Sequence, residues 1–396
     1  MFRKKNLNLL PLCLLSSMAF ANPDTHVMVA PHCLLETSHI QFNPLATTKK
    51  LSLISIQENQ IEKLIDAKHA LKKPCGGFID VTHAWNKKNI AANKFLESFE
   101  YKKPTPSHQT YHIQYENEVN QLISHINPMY MWTRLSDLTN YPDRYANSKT
   151  GLKAAVDIRD EMIRLASSTG HSEEVSVYFV PTGNFYKQPS VVMKYGTSDE
   201  PGVVIGGHMD TLSSKLSLKP GADDDGSGSV TVLETAHTIL SSGMHFKKPL
   251  YFVWYSAEEM GLVGSQFVVE DFMKKSIPVS EVIQFDMTGY RHQNNPTMWL
   301  VNDYVNSDLT TFVETLIKSY VKVPVDYTQC GYACSDHATW TLNGFASSMP
   351  FEASFGNDNP DIHTSRDTIE KLSLEHMINF ATLGVAFAVE LAEPVH

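Results

Sequence analysis

The amino-acid sequence predicts an α/β protein, a three-layer sandwich with a mostly parallel mixed sheet between helices. Two observations carry that expectation beyond about residue 105. Apolar runs rich in Val, Ile, Phe and Tyr alternate with stretches of helical periodicity, and the runs are nearly continuous in apolar residues. A strand that is apolar on both sides belongs in a sheet covered on both faces, and strand–helix alternation is the order that builds one.

In chain order the strand candidates are SVVMKYG (190–196), GVVIGGHMD (202–210), PLYFVWYSAEE (249–259), EVIQFDMTGY (281–290), TMWLV (297–301) and FASSMPFE (345–352). Between them Val230, Leu233, His237 and Leu240 fall on one helical face, as do Leu309, Phe312, Val313, Leu316 and Tyr320. In such a fold, ligands gather beyond the C-terminal ends of the strands. The chain shows no internal repeat and no low-complexity tract.

At 396 residues, 42% hydrophobic and 19% charged, the chain has an ordinary globular composition with room for one large domain and a smaller one. A formal net charge of −10 provides no broad basic surface, so no nucleic-acid partner is expected. Arg3, Lys4 and Lys5 precede the apolar stretch LNLLPLCLLSSMAF and the small-x-small pattern Ala19-Phe20-Ala21, which marks residues 1–21 as a secretory signal. A membrane anchor is disfavoured, because the run is shorter than about 20 residues and contains Pro11. No later segment is expected to be long and apolar enough to span a bilayer. The expectation is therefore a secreted protein, extracellular or periplasmic, monomeric and without stable membrane association.

Residues 22–105 form a polar, mixed segment ending in YKKPTPSHQ, where Pro104 and Pro106 read as a linker, and residues 106–396 read as a single αβ unit. Cleavage after Ala21 would remove Cys13 and leave Cys33, Cys75, Cys330 and Cys334, an even number that suits two disulfides in an exported chain. Cys330 and Cys334, in CGYAC, are close enough to pair locally, which would leave Cys33 with Cys75. A Cys-rich metal site lacks a second nearby Cys or His pair at zinc-finger spacing.

The stretch PGADDDGSGS (220–229) sets Asp223, Asp224 and Asp225 side by side. Alone it reads as a turn or a helix cap. Its company points elsewhere: one strand candidate ends in His208 and Asp210, the next in Glu258 and Glu259, a third in Asp286, and IHTSRD supplies His363. A parallel sheet would gather these groups at one rim, which would be strongly acidic without a cation. Imidazole and carboxylate donors without thiolate suit zinc, with manganese or cobalt as alternatives. One carboxylate of the triplet can bridge two cations while its neighbours shape the loop. Asp210, two residues beyond His208 in extended backbone, can orient the imidazole.

The segments GGHMDT, PGADDDGSGS, AEEMGLVGS, QFDMTGY, CGYACSDH and NPDIHT, in this order, closely resemble the secreted bacterial two-zinc aminopeptidases, which remove leucine and similar residues from peptide N-termini. The resemblance runs from about residue 110 to the C-terminus. It implies a zinc-dependent exopeptidase fold, peptide substrates with a free N-terminus and two Zn2+ per chain. It assigns His208 and Asp286 to one zinc, Glu259 and His363 to the other, and Asp224 to both. Glu258 matches the general base and acid, Asp210 the partner that holds His208, and Cys330 and Cys334 a disulfide. Tyr332, between those cysteines, matches a residue that helps stabilise the reacting oxygen.

Met287, Met349, Phe351, Phe355 and Ile362 match the apolar pocket for the first side chain. Asp358 stands where leucine-preferring relatives carry an aromatic residue, and a carboxylate there would favour Lys or Arg. Residues 22–105 fall outside the resemblance. Extensions in the family it resembles are often pro-segments removed on maturation, which is the expectation here, with a permanent accessory domain as the alternative.

Two other functions fit less well. A carboxypeptidase or deacylase on a similar fold needs a cationic clamp, for which only Arg291 and Arg366 are nearby. A non-catalytic binding ectodomain should lack ligands, and every expected position is filled. A serine hydrolase lacks its G-x-S-x-G elbow.

Overall fold

The computed structural model describes residues 25–71, 75–100 and 110–395; the signal segment and the linker reading at 101–109 lie outside the described residues. From the amino end come β1 (Thr25–Pro31), α1 (His32–Ser38), β2 (Asn43–Thr47), β3 (Leu51–Gln57), α2 (Ile61–Ala70), β4 (Ile79–Asp80), α3 (Thr82–Lys87) and α4 (Ala92–Glu97). The strands make an antiparallel sheet in the order β2-β3-β1-β4. Successive residues of β1 alternate between two cores. Met28 and Ala30 join Leu34, Ile54 and Leu64 under α1 and α2, whereas Val27 and Val29 join Leu53, Ile79 and Phe95. The segment that composition reads only as polar and mixed is thus a folded unit, closed by the Cys33–Cys75 disulfide.

The larger unit begins with α5 (Glu116–Ile123), α6 (Pro128–Thr139) and α7 (Lys149–Ser168). Asn127 accepts from the N–H groups of Met129 and Tyr130 to start α6, with Pro128 in the first turn, and Ser148 caps α7 through Gly151 N–H. Then follow β5 (Val175–Val180), β6 (Ser190–Tyr195), β7 (Gly202–His208), α8 (Gly228–Ser242), β8 (His245–Phe246), β9 (Leu250–Tyr255), α9 (Val263–Lys274) and β10 (Val279–Gln284). The chain ends with β11 (Met298–Val301), α10 (Ser307–Leu316), β12 (Val325–Thr328), α11 (His337–Leu342), β13 (Ala346–Ser348), β14 (Pro350–Phe351), α12 (Leu374–Ala392) and β15 (Pro394–Val395).

The main sheet runs β13-β10-β7-β9-β6-β5; β13, β10, β7 and β9 are parallel, and β6 and β5 complete it antiparallel. This is the mostly parallel mixed sheet expected from the sequence, with helices on both faces. Leu250, Phe252 and Trp254 of β9 pack with α8 and α12, and Tyr251, Val253 and Tyr255 pack with α9 and Trp340. Burial on both sides is why the strand reads as a continuous apolar run.

One expectation is corrected. Helix α12 is 19 residues long with a mean hydropathy of 1.2, long and apolar enough to cross a membrane. Here 78% of that span is buried, packed on α8, α5 and β7. A helix enclosed by protein needs no polar face.

Candidate metal centre

Each candidate catalytic or metal-ligating residue read from the sequence except Tyr332 comes to the rim where β7, β9 and β10 end. His208 closes β7, Glu258 and Glu259 follow β9, Asp286 lies just past β10, and Asp224 lies in the irregular turn that leads into α8. His363 comes from the loop before α12. His208 Nε2 stands 3.0 Å from Asp224 Oδ1 and 3.7 Å from Asp286 Oδ1. His363 Nε2 stands 2.9 Å from Asp224 Oδ2 and 2.8 Å from Glu259 Oε2. The two oxygens of Asp224 therefore face two different imidazoles. Ala257, Met287 and His363 all adopt left-handed backbone, a strained conformation for these residue types that their surroundings must hold.

Asp210 lies 3.4 Å from His208 Nδ1 and also accepts from the N–H groups of Glu258 and Glu259. It thereby fixes the turn that presents both glutamates. Burial disfavours charge on His363, but Glu259 and Asp224 outweigh it and push its pKa up to about 10. Burial likewise raises the Glu258 carboxyl well above the usual range, only partly opposed by His208 and Lys68.

The neighbours of Asp224 have structural roles. Asp225 also lies within metal-binding reach of His208 and Asp286. Its oxygens, however, accept from the backbone N–H groups of His208, Gly228 and Met287, tying β7, α8 and β10 together. Gly207 and Gly228 make room for it: a Cβ at Gly228 would lie 2.3 Å from Asp225 Oδ1. Asp223 accepts from Gly289 N–H and Asn359 Nδ2.

Beside the acids lies a cleft of about 600 Å³ whose lining includes Met287, Met349, Phe351, Phe355, Asp358 and Ile362. The apolar members pack with Cys330 and Cys334, which form a disulfide. Asp358 is half-buried at this wall, and its Oδ1 accepts from Gly356 N–H at 2.7 Å.

Comparison with known proteins fits this geometry. The model of peptidase family M28 matches residues 190–388. Leucine aminopeptidase 1 of Metarhizium robertsii is 31% identical over 371 residues, covering 90% of this chain and 91% of that one. The chain belongs to peptidase family M28. It is a metallo-aminopeptidase. The crystal structure of the Legionella pneumophila LapA aminopeptidase superposes with a TM-score of 0.87 at 41% identity, over 95% of this chain and 100% of that chain. That of LapB from the same organism gives 0.86 at 39% identity, over 93% and 100%.

In this M28 peptidase the Tyr332 side chain does not reach the cleft. Its ring packs edge-on against Tyr304, centroids 5.5 Å apart, in a cluster with Val27, Val29 and Leu53 of the N-terminal unit. Its backbone is held by that unit too: Tyr332 N–H donates to Cys75 O at 3.1 Å, and Gly77 N–H donates to Tyr332 O at 2.5 Å. A Cβ at Gly76 would fall 1.8 Å from Tyr332 N, so only glycine permits this approach.

Three further residues complete the site. Lys68 on α2 is half-buried and lines the cleft with Glu258, Glu259 and His363. Arg144 is fully buried and donates to the carbonyls of Leu138, Met209, Pro220 and Gly221, which fixes both ends of the loop between His208 and Asp224. Asp367 accepts from the N–H groups of Asp223 and Asp224. Of the three, only Asp367 had a sequence signal, its place in the motif that supplies His363.

Proposed function

We propose that this M28 peptidase is a co-catalytic two-zinc aminopeptidase that removes the first residue, leucine-like or basic, from peptides with a free N-terminus. The position of Asp224 between His208 and His363 supports this reading most directly. The donors fit zinc in chemistry as well as in number. Among the described residues Glu259 Oε1 is buried without a hydrogen-bond partner, and so many buried acids at one rim are costly without a cation. His208, Asp224 and Asp286 would hold one ion, and Asp224, Glu259 and His363 the other. Bound there, zinc would supply a Lewis acid for the scissile carbonyl and would bring the pKa of the attacking water toward neutrality.

Glu258 takes the proton of the attacking water and delivers it to the leaving amine, a role for a carboxylate beside the metals but not on them. Asp210 keeps it in place through its backbone N–H. The substrate's ammonium group rests against the carboxylates at this end of the cleft. The carboxypeptidase and deacylase readings gain no support: Arg291 is paired with Glu375 and Arg366 with Asp361, and neither lines the cleft. The test is hydrolysis of leucyl-, lysyl- and N-acetyl-leucyl-p-nitroanilide before and after chelation and zinc return. Cleavage confined to the free-amine substrates, lost on chelation and restored by zinc, is expected; cleavage of the blocked substrate alone would overturn the reading.

Asp358 adds a charge to an otherwise apolar pocket and gives it tolerance for Lys and Arg. A charged hydrogen bond contributes ~1.5–3 kcal/mol, so Asp358→Asn is expected to lower the lysyl-to-leucyl ratio of kcat/KM on the order of tenfold or more. An unchanged ratio removes Asp358 from the recognition of basic residues.

Residues 22–105 act in this proposal as a removable pro-segment of an exported chain. Lys68, Leu71, Cys75 and Gly76 line the cleft, and the unit holds Tyr332 away from it. Limited proteolysis that removes the unit is expected to raise kcat/KM, and Lys68→Ala in the intact chain should raise it in part. Equal activity before and after removal would mean a permanent accessory domain.

A further inference from the structure

At the rim opposite the candidate metal centre, three side chains converge that the reaction does not use. Antiparallel pairing sets Tyr195, the last residue of β6, beside Leu250, the first of β9, whereas Glu258 and Glu259 follow the other end of β9. Around Tyr195 lie His171, just after α7, Glu174, just before β5, and His245 on β8.

Glu174 reaches both imidazoles: Oε2 is 2.8 Å from His171 Nδ1, and Oε1 is 3.4 Å from His245 Nδ1. One donor atom from each of the three residues lies within 4.8 Å of the other two. The rings of the histidines stand 5.8 Å apart, nearly perpendicular at 78°.

We infer that His171, Glu174 and His245 form a third divalent-metal site, one that takes zinc or a similar borderline cation. Tetrahedral geometry with zinc bonds of ~2.0–2.1 Å puts neighbouring donor atoms roughly 3.3 Å apart. In the candidate metal centre, the gaps between imidazole nitrogens and carboxylate oxygens run from 2.8 to 3.7 Å. Here the corresponding gaps are 2.8 and 3.4 Å, within the same range and from the same donor types.

Two of the ligands sit on fixed backbone. Glu174 N–H and Val175 N–H both donate to His171 O, and Gly196 N–H donates to Glu174 O. His171 is buried against the edge of Tyr195, which leaves its ring little freedom. The third ligand has a more open setting, because the His245 side chain is 56% exposed. Solvent would therefore complete the coordination, as at a labile, exchangeable ion.

The site joins three stretches of chain, one of them the ribbon of β8 with β15 at the C-terminus. A bound ion would fasten that ribbon to the edge of the main sheet. Metal that binds the folded chain and not the unfolded one stabilises it, so zinc should raise the melting temperature beyond its effect at the candidate centre.

The experiment is equilibrium dialysis of the full chain against micromolar zinc, with metal content by mass spectrometry and a zinc-dependent melting curve. His245→Ala and, separately, Glu174→Gln are compared with wild type. Each variant is expected to hold one zinc fewer per chain, to lose the last increment of thermal stabilisation and to keep wild-type aminopeptidase activity, which also shows that it folds. The readout is the difference between chains rather than the total, so it stands whatever number of ions the candidate centre takes. Equal zinc content and equal thermal response in wild type and both variants would reduce the cluster to an ordinary pair of His–Glu contacts.

Discussion

Glu258→Gln is expected to lower kcat on a leucyl substrate by ~10²–10⁴-fold, the usual contribution of a positioned general base. Zinc content and KM should change little. Glutamine keeps the size and the backbone of the residue, so the N–H that Asp210 holds at 3.0 Å stays in place and the two glutamates stay apart. What is lost is the ability to accept a proton from water and return it to the amine. Stopped-assay rates with metal analysis of the same sample decide the matter. Activity within tenfold of wild type at full zinc occupancy would show that another group moves the proton.

Asp224→Ala should cost more, and through binding. Its two oxygens stand at 3.0 and 2.9 Å from the imidazoles of His208 and His363, so a single substitution removes a donor from both candidate positions. Breaking a buried charged pair from one side costs ~3–5 kcal/mol, or roughly 10²–10⁴ in an equilibrium constant. At micromolar free zinc the variant is expected to hold one ion or none and to be inactive. Asp225→Asn gives the contrast. Its oxygens accept three backbone N–H groups, so the expected outcome is a lower melting temperature, with metal affinity falling only as the loop loosens. Full zinc occupancy in Asp224→Ala would remove the bridging role.

How much of this was legible in the sequence depended on how local the cause was. The strand ends were readable because β7 and β9 are near-continuous apolar runs, β10 carries the apolar pair Val282 and Ile283, and each gives way to His, Asp or Glu where the rim begins. The middle of the Asp triplet could be separated from its neighbours only by the motif, since spacing alone gives all three the same claim. Lys68 was not readable: on an amphipathic helix, lysine ordinarily faces solvent, and only docking of α2 onto the larger unit turns it toward Glu258. Tyr332 shows the converse. Its motif was recognised, yet the direction of its ring depends on Cys75 and Gly77, more than 250 positions earlier. The antiparallel sheet of the amino-terminal unit was hidden because its edge strand β2 is largely exposed, which dilutes the apolar signal of β1 and β3.

The shared cores of the two units separate cutting the chain from opening the cleft. Leu34, Ile54 and Leu64 pack with Ala257, Met260 and Val263 from the turn that carries Glu258, and Val29 and Leu53 pack with Leu262 and Tyr304. The Cys33–Cys75 bond lies wholly within the smaller unit, so among the described residues no disulfide ties it to the rest. If the smaller unit is the proposed pro-segment, a nick between residues 100 and 110 would leave two fragments that elute together and melt in one transition, held by these buried apolar contacts. Activation under that proposal would be a dissociation reaction. Its rate would follow further digestion or dilution of the released fragment, and it would lag behind the appearance of the cleaved band on a gel.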